Sequence, residues 1–255
     1  MKLIIAGYGF VGTAVGHSLS GHHELIIVDP RFNKTRIADH PEADGIIVCV
    51  GTPSAEDGDC DIGQILSVLA EVPDYKSVLI KSTIPPDLFD SVLKKFPKLK
   101  IVYSPEFLRA ASATQDFADQ TYMILGGADT AIWETVFRPA LKNCTHYITT
   151  TIATASMVKY SINTFLATKV AYFNHMYDLC QSVGVDYDVV RKLLALDPRI
   201  GESHLQVPGP DGTRGFGGHC FPKDTEAFAH FARRQNQDFA VLDTAIAYNK
   251  ALRQG

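Results

Sequence analysis

Cys220 lies in a short segment that is rich in residues able to do chemistry. Residues 215–224 read GFGGHCFPKD, so three glycines precede the cysteine, and a lysine and an aspartate follow within four positions. A thiolate is a strong nucleophile, and a nearby cation, either Lys159 or Lys223, would favour that ionised form. The segment therefore indicates a nucleophilic cysteine. The alternative is a small buried side chain that only fills space.

Glu106 and the pair Lys159 and Asn163 could supply acid–base chemistry. Glu106 follows a predicted strand that ends at Tyr103, and a carboxylate there could act as a general base. Lys159 and Asn163 are four residues apart, which places them on one face of a helix. A lysine and an amide that point together could polarise a hydroxyl or stabilise an oxyanion. The alternative for this pair is a solvated helix face.

Residues 7–12, GYGFVG, match the pattern GxGxxG. The match directly follows a predicted strand and opens a predicted helix, which is the context of a dinucleotide-binding site. Gly7 permits the tight turn, Gly9 lets the backbone approach a diphosphate, and Gly12 allows close helix packing. The other predicted contacts in this segment are Tyr8, Phe10 and Val11. The alternative is a glycine turn in an unrelated α/β protein.

Asp29 ends the next predicted strand, at the distance where such sites carry an acidic residue. Its carboxylate suits the two ribose hydroxyls and repels a 2′-phosphate, so NAD is favoured over NADP. Arg31 works against this preference, because a nearby arginine could accept a phosphate. The predicted cofactor is therefore NAD.

Two further loops follow predicted strands and are candidate cofactor contacts. One contains Thr52 and Pro53, and the other contains Ser82 and Thr83. Ligands of open α/β sheets bind beyond the carboxyl ends of the strands. Ordinary turn chemistry explains these residue types equally well.

The first half of the chain alternates short apolar runs with amphipathic stretches. This alternation predicts a parallel sheet with right-handed crossovers, a Rossmann-type α/β domain over residues 1–150. Strands are predicted at 2–6, 24–28, 45–50, 77–81, 100–103 and 122–127.

The pattern changes near residue 150, and the predicted second domain, 151–255, is all-α. Residues 151–183 contain neither proline nor glycine, and their apolar residues recur at helical spacing. They predict one long helix or two abutting ones. Beyond them we predict a helix at 186–196, an irregular segment at 197–218 and a helix at 225–253. Irregular segments of that length are more often functional than idle.

The composition argues against several classes of protein. A chain of 255 residues with 46% hydrophobic and 20% charged residues is an ordinary globular chain with a sizeable core. The net charge of −4 does not favour nucleic acid, and no apolar stretch approaches the roughly 20 residues that span a bilayer. Five cysteines without a CxxC pair, and no signal-peptide pattern, predict reduced thiols in the cytoplasm. Nine histidines without HExxH spacing predict no metal site.

Taken together, these segments resemble the UDP-glucose/GDP-mannose dehydrogenase family. The resemblance runs in order from Gly7 almost to the C-terminus and is most specific over residues 215–224. It rests on residues 7–12, Asp29, 51–53, 82–83, 105–108, Lys159, Asn163, 199–201 and 215–224.

The resemblance implies a NAD-dependent, four-electron oxidation of a nucleotide sugar, such as UDP-glucose to UDP-glucuronate. Cys220 would capture the intermediate aldehyde as a thiohemiacetal, which a second oxidation converts to a thioester. Water activated with the help of Glu106 would release the acid, and Lys159 would stabilise oxyanions. The other catalytic positions that the family implies are Asn163, Asp224 and Thr83.

The same resemblance implies substrate contacts and a homodimer. The loop before the cysteine would wrap the nucleotide sugar, because its glycines let backbone amides approach a ligand; the alternative is a surface loop without a ligand. Arg199 matches an arginine that contacts substrate, in some members from the partner subunit. The family dimerises through its helical region. The predicted substrate-binding residues are Glu106, Phe107, Leu108, Arg109, Lys159, Asn163, Arg199, Gly215, Phe216, Gly217 and Lys223.

Two departures from the family pattern bear on activity. Ala110 stands where the family usually has a glutamate that contacts the cofactor. The family's third domain, which closes over the UDP group, has no counterpart in these 255 residues.

Two other functions stay open. The first is a two-electron 3-hydroxyacid dehydrogenase, a related group that shares the lysine–asparagine pair but lacks the cysteine segment. The second is a non-catalytic protein that binds NAD or a nucleotide sugar.

Overall fold

The computed structural model describes residues 1–254 and divides the chain into two compact units. The first unit comprises residues 1–53 and 61–159, and the second comprises residues 54–60 and the chain from Tyr160 onward. The segment 54–60 therefore belongs to the second unit, although both of its sequence neighbours belong to the first.

The first unit is built on a single sheet. Its strands are β1 (Lys2–Ala6), β2 (Glu24–Val28), β3 (Gly45–Val48), β4 (Ser77–Ile80), β5 (Lys100–Tyr103), β6 (Tyr122–Gly126) and β7 (His146–Thr150). Within residues 1–254 the spatial order is β2-β1-β3-β4-β5-β6-β7. The first five of these positions are parallel, β6 is antiparallel to β5, and β7 is parallel to β6. The predicted Rossmann-type α/β class is confirmed, although the sheet is mixed rather than wholly parallel.

The six predicted strands are confirmed, and β7 is a strand that the sequence did not reveal. Its five residues, HYITT, are exposed or partly exposed, because β7 forms the edge of the sheet. An edge strand of this kind lacks the continuous apolar run that marks a buried strand. The direction of β6 was equally hidden, because its central residues are buried whichever way the strand runs.

The helices connect the strands and make up most of the second unit. They are α1 (Phe10–Leu19), α2 (Gly63–Ala70), α3 (Pro86–Lys95), α4 (Ala113–Ala118), α5 (Ala131–Phe137), α6 (Ile152–Ser182), α7 (Tyr187–Leu194), α8 (Phe221–Arg234) and α9 (Ala240–Gln254). Among residues 1–254, none of the helices combines the length and the apolar character that crossing a bilayer requires.

Both faces of the sheet are buried. Alternate residues of a strand point to opposite faces, so Ile4 belongs to one core cluster while Leu3 and Ile5 belong to the other. Trp133 of α5 is fully buried in the second cluster. Burial on both faces explains why the central strands are continuously apolar.

Helix α6 is a single helix of 31 residues, which is the first of the two arrangements that the run without glycine or proline predicted. In the second unit its Tyr160 ring stacks on Phe228 of α8, with ring centroids 5.3 Å apart. Further along, Phe173 of α6 packs in a cluster with Tyr187 of α7. The part of α6 in this unit is therefore the element on which its other helices pack.

The prediction of one helix over 225–253 is wrong. The segment forms α8, which begins at Phe221, and α9, which begins at Ala240. Asn236 between them has a φ of +55°, a left-handed conformation in which a helix ends. The break lets Leu242 of α9 pack in one cluster with Phe228 of α8. Neither glycine nor proline marks this break in the sequence.

Candidate functional site

The predicted dinucleotide turn has the geometry that its glycines require. Gly7 has a φ of +86°, and a Cβ there would lie 2.8 Å from backbone atoms of Cys49. A Cβ on Gly12 would lie 2.1 Å from the Gly7 carbonyl oxygen. A Cβ on Gly9, by contrast, would meet no atom within 4 Å. The turn is therefore closed on the protein side and open on the side where a diphosphate would approach the start of α1.

Asp29 lies beside this turn, immediately after β2. Its Oδ2 accepts a hydrogen bond from the Tyr8 N–H at 2.7 Å, and both carboxylate oxygens accept from Arg31. Hydrogen bonding from the Arg31 side chain holds the pKa of Asp29 well below its usual range, although burial opposes the shift. Asp29 is therefore anionic where ribose hydroxyls would lie, and Arg31 is engaged with it.

The loops after β3 and β4 are linked to each other. Ser82 Oγ donates a hydrogen bond to the Val50 carbonyl at 2.7 Å. Thr52, Ser82 and Thr83 are all buried, whereas Pro53 is exposed. Both loops leave the carboxyl ends of parallel strands, where open α/β sheets bind ligands.

Glu106 and Lys159 form a buried ion pair in the first unit. Lys159 Nζ lies 3.4 Å from Glu106 Oε1 and donates a hydrogen bond of 2.6 Å to the Glu106 carbonyl. Glu106 Oε2 accepts the Leu108 N–H at 2.7 Å. The side chains of Lys159 and Glu106 are only 3% and 5% exposed, respectively. Their hydrogen bonds therefore offset the cost of removing both charges from water. The structure thus brings two of the predicted catalytic residues together.

The residues that follow Glu106 differ in their surroundings. The Phe107 ring centroid lies 5.6 Å from Lys159 Nζ, close enough for a cation–π contact. The Arg109 side chain is 77% exposed and pairs with Asp116 at 2.6 Å. Ala110 is exposed and begins a short 3₁₀ helix. Phe107 therefore lies beside the buried ion pair, whereas Arg109 forms a separate, exposed ion pair with Asp116.

Lys81 is a buried cation that sequence reasoning missed. Its amine donates hydrogen bonds to the Ser104 carbonyl at 3.0 Å and to the Ser104 hydroxyl at 3.3 Å. Burial lowers the pKa of Lys81 to about 8; Cys49 and Glu106 oppose this shift. A lysine at the end of an otherwise apolar strand was the available signal, because such a position leads into the binding edge of the sheet.

In the second unit, Asp224 is the centre of a second buried network. Asn163 Nδ2 donates to Asp224 Oδ2 at 2.6 Å, and Lys223 Nζ donates to Asp224 Oδ1 at 2.5 Å. Asp224 is 1% exposed. Burial lowers the pKa of Lys223, but the Asp224 carboxylate outweighs this effect, and the net shift is upward. Three predicted site residues are therefore brought together here.

Cys220 immediately precedes α8, and its thiol is partly buried. Its carbonyl accepts the Asp224 N–H at 2.9 Å, the first hydrogen bond of the helix. Cys220 lies close enough to Lys223 to contribute to the raised pKa of that lysine. A helix N-terminus and a nearby ammonium group both favour the thiolate, so this environment suits a nucleophile.

The remaining predicted substrate residues lie in or beside the irregular segment 197–218. Gly215 and Phe216 are buried, and Gly217 is partly buried. The Arg199 side chain is 87% exposed and pairs with Asp197 at 2.6 Å. Arg199 therefore faces solvent on this chain, whereas the glycine loop is packed into the unit.

Two models of one protein family match the chain. Residues 31–139 match the NAD binding domain, and residues 153–251 match the central domain, of the UDP-glucose/GDP-mannose dehydrogenase family. The chain belongs to this family. The predicted family and the predicted cofactor, NAD, are thereby confirmed.

The relatives of the chain within this family are longer than the chain itself. It is 33% identical over 219 residues to UDP-glucose 6-dehydrogenase of Rickettsia felis, which covers 82% of this chain and 48% of that protein. The chain thus spans about half the length of the curated relatives that it matches.

Solved structures share the fold. A UDP-glucose dehydrogenase from the hyperthermophilic archaeon Pyrobaculum islandicum is 26% identical, with a TM-score of 0.84 over 98% of this chain and 68% of that chain. A 3-hydroxyisobutyrate dehydrogenase of Mycobacterium tuberculosis has a TM-score of 0.74 over 98% of this chain and 92% of that chain. At 17% identity, the second likeness shows the fold alone. The roles of individual residues stay predictions, because a match of whole domains assigns no role to a residue.

We expect Gly12→Ala to weaken NAD binding by roughly tenfold or more, about 1.4 kcal/mol. The new Cβ would lie 2.1 Å from the Gly7 carbonyl oxygen, so the turn must move. Gly21→Ala is the control, because a Cβ at Gly21 meets nothing within 4 Å. NAD titration by calorimetry, with circular dichroism to verify folding, measures the effect. Equal affinities of the two folded variants would contradict it.

The lowered pKa of Lys81 predicts a specific pH dependence of the free energy of unfolding. Its folded pKa of about 8 lies below the ordinary 10.5, so between these values the unfolded chain binds a proton that the folded protein does not. The free energy of unfolding therefore gains up to about 1.4 kcal/mol per pH unit as pH rises through this range. Below pH 8 the cost of the buried charge is fully present.

Urea unfolding at several pH values between 7 and 10.5 tests this dependence. In Lys81→Met we expect this gain to be absent, whereas the exposed control Lys34→Met retains it. An equal rise in stability for Lys81→Met and the unmutated protein would show that Lys81 titrates normally.

Proposed function

We propose that the chain catalyses NAD-dependent oxidation of a nucleotide sugar, UDP-glucose to UDP-glucuronate, through covalent intermediates on Cys220. The observation that carries this proposal is the position of Cys220 at the N-terminus of α8, beside the Lys223 charge and next to the Asp224 network. A two-electron alcohol oxidation needs no nucleophile, whereas retention of an aldehyde for a second oxidation does.

NAD held at residues 7–12 and Asp29 would supply the hydride acceptor for the sugar C6 in each of the two oxidations, so one sugar would reduce two NAD molecules. The first oxidation also removes the proton of the C6 hydroxyl. After the first oxidation, the Cys220 thiolate adds to the aldehyde carbon, and the aldehyde oxygen takes a proton to give a thiohemiacetal. Loss of the second hydride and of the hydroxyl proton gives a thioester. Water then adds to the thioester carbon and loses its protons, the first with the help of Glu106. The carbon–sulfur bond breaks, and Cys220 leaves as the thiolate while the carboxylate is released.

Glu106, Lys159 and Thr83 have proposed roles in this sequence. Lys159 is a buried amine, and a charge in a low-dielectric environment stabilises a developing oxyanion more strongly than it would in water. Its bonds to Glu106 support a second role, because they hold that carboxylate in the orientation in which it helps to activate water. Thr83 is a buried residue in the loop after β4, and we propose that its hydroxyl assists in positioning water.

Asn163 and Asp224 are proposed to position water and protons near the thioester. Their hydrogen bond of 2.6 Å fixes the orientation of the Asn163 amide. Asp224 also holds Lys223, whose charge favours the thiolate both as nucleophile and as leaving group. Removal of either partner of this buried network leaves the other unsatisfied.

The proposed substrate contacts come from the segment after Glu106 and from the loop before Cys220. Phe107 to Arg109 and Gly215 to Gly217 are assigned to the sugar and its diphosphate. Arg199 is exposed and would contact the substrate of a partner subunit.

A two-electron 3-hydroxyacid dehydrogenase is the second candidate. Its fold is shared, since the 3-hydroxyisobutyrate dehydrogenase matches 98% of this chain. The glycine-rich segment with Cys220 favours oxidation of a nucleotide sugar instead, because a two-electron alcohol oxidation uses no nucleophile. A non-catalytic binding protein is the third candidate, favoured by Ala110 in place of the family glutamate.

Helix α6 supports a proposed homodimer. Phe165, Tyr172 and Leu179 are 66%, 60% and 54% exposed. They are seven residues apart, so they form a stripe along one face of the helix. A grouped set of large exposed apolar side chains is typical of an interaction surface. We propose that a second copy of the chain covers this stripe.

Wild-type protein is expected to form two NADH for each UDP-glucose consumed. Cys220→Ser should stop before release of the acid, because a serine hydroxyl is a far weaker nucleophile at neutral pH. The control is Cys144→Ala, a buried cysteine of the sheet core. NADH absorbance and chromatography of the sugar product measure both quantities.

Each candidate function has its own outcome in that experiment. One NADH per sugar would favour the two-electron dehydrogenase. NAD binding without NADH formation from any UDP- or GDP-sugar would favour the binding protein. Uronate formation by Cys220→Ser at the wild-type rate would show that the covalent step is wrong.

Tyr172→Glu should convert the proposed dimer to a monomer of 27.9 kDa. In a two-fold interface the new charge is buried twice, so the dissociation constant should rise by roughly tenfold or more. Tyr75→Glu is the control, because Tyr75 is 70% exposed in the first unit. Sedimentation velocity over a range of concentrations measures the mass. Identical masses of the two variants at every concentration would overturn the proposed surface.

A further inference from the structure

Asn174 holds the backbone of the glycine loop from α6. The residue is 1% exposed. Its Oδ1 accepts the Gly215 N–H at 3.0 Å, and its Nδ2 donates to the Val170 carbonyl at 2.9 Å. The amide is therefore oriented by its own helix and presents its oxygen to the loop.

Asn249 holds the next residue of the loop from α9. Its Oδ1 accepts the Phe216 N–H at 2.6 Å, and its Nδ2 donates to the Phe216 carbonyl at 3.0 Å. The carboxamide thus pairs with both polar groups of one residue, and Asn249 is 7% exposed. Two buried amides from two helices bind consecutive residues of the loop.

The loop is closely fitted to these amides. Gly215 has a φ of +76°, and a Cβ there would lie 2.4 Å from Asn249 Oδ1. The Phe216 side chain is 3% exposed and packs in one cluster with Ala171 of α6 and Ala245 of α9. The same two helices therefore hold both the backbone and the ring.

The chain beyond this anchor contains two more glycines. Gly217 and Gly218 lead directly to the residues before α8, and Gly218 has a φ of +74°. Glycine has more backbone freedom than any other residue, so the path from Phe216 to Cys220 depends on a fixed starting point. Loss of the Asn249 amide would leave the Phe216 N–H and carbonyl without these hydrogen bonds, and the loop would then move toward water.

We infer that Asn174 and Asn249 are positioning residues that set the location of the Cys220 thiol through the backbone of Gly215 and Phe216. This inference rests on the proposed function, in which Cys220 is the nucleophile. Catalysis by an oriented group is sensitive to displacements of about 1 Å, so a loosened loop should slow turnover.

Two substitutions of Asn249 separate its hydrogen bonds. Asn249→Leu keeps a similar volume and loses both bonds to Phe216. Asn249→Asp keeps the acceptor for the Phe216 N–H and loses the donor to its carbonyl. Asn143→Leu, at an exposed asparagine of the first unit, is the control. Thermal unfolding of each variant sets a common temperature at which all are folded.

The measurements are turnover and the reactivity of each cysteine with iodoacetamide, read by peptide mass spectrometry. For Asn249→Leu we expect kcat to fall by about tenfold or more, with the KM for NAD unchanged. The alkylation rate of Cys220 should rise several-fold, because the loop opens, while Cys49 and Cys144 react as before. Asn249→Asp should lie between wild type and Asn249→Leu in both quantities.

A merely structural role would lower thermal stability and leave these readouts alone. The inference is overturned if folded Asn249→Leu matches Asn143→Leu in both kcat and Cys220 alkylation. Alkylation needs no substrate, so it decides the inference even if wild-type protein oxidises no nucleotide sugar. In that case the proposed function fails, while the effect of Asn249 on the Cys220 loop is still measured.

Discussion

Burial of charge is the constraint on which the candidate site depends. Glu106 and Asp224 are 6% and 1% exposed, and a carboxylate removed from water is stable only where donors and cations replace the water. Lys159 meets Glu106, whereas Lys223 and Asn163 meet Asp224. These partners are carried by α6 and α8, so the placement of the helices within each unit determines whether the carboxylates are paired. A site of this kind leaves little freedom for substitution, because loss of one partner leaves an uncompensated buried charge.

Helix α6 carries one hydrogen-bond partner for each of the two carboxylates. Lys159 and Asn163 are one helical turn apart, and each is hydrogen-bonded to a different carboxylate. A helix interrupted by proline or glycine near this turn would lose the fixed spacing between them. The uninterrupted 31 residues of α6 therefore hold these two side chains and also pack the helices of the second unit. The same helix also carries the exposed apolar stripe, which we propose a second copy of the chain covers.

The proposed nucleophile depends on a balance between freedom and restraint. Glycines around the loop permit the left-handed backbone and the close approach of a ligand, but they also raise the entropy of the unheld chain. Buried amides of Asn174 and Asn249 supply the restraint, and the start of α8 holds the other end. The thiol lies at this second end, where the helix N-terminus and Lys223 favour its anionic form.

Much of the fold was predictable, because burial on both faces leaves a continuous apolar run. That signal located β1 to β6, and the GxGxxG turn located the start of α1. It did not reveal the edge strand β7, the direction of β6 or the break between α8 and α9.

The sequence by itself determined the family, the NAD domain and the residue types around Cys220, since these depend on local spacing. Only the tertiary structure decided that Glu106 pairs with Lys159, that Asp224 pairs with Asn163, and that Lys81, Asn174 and Asn249 hold backbone from a distance. The physical reason is that a sequence pattern reports whether a residue is buried, whereas the partner of a buried polar group is chosen by the packing of elements far apart in the chain.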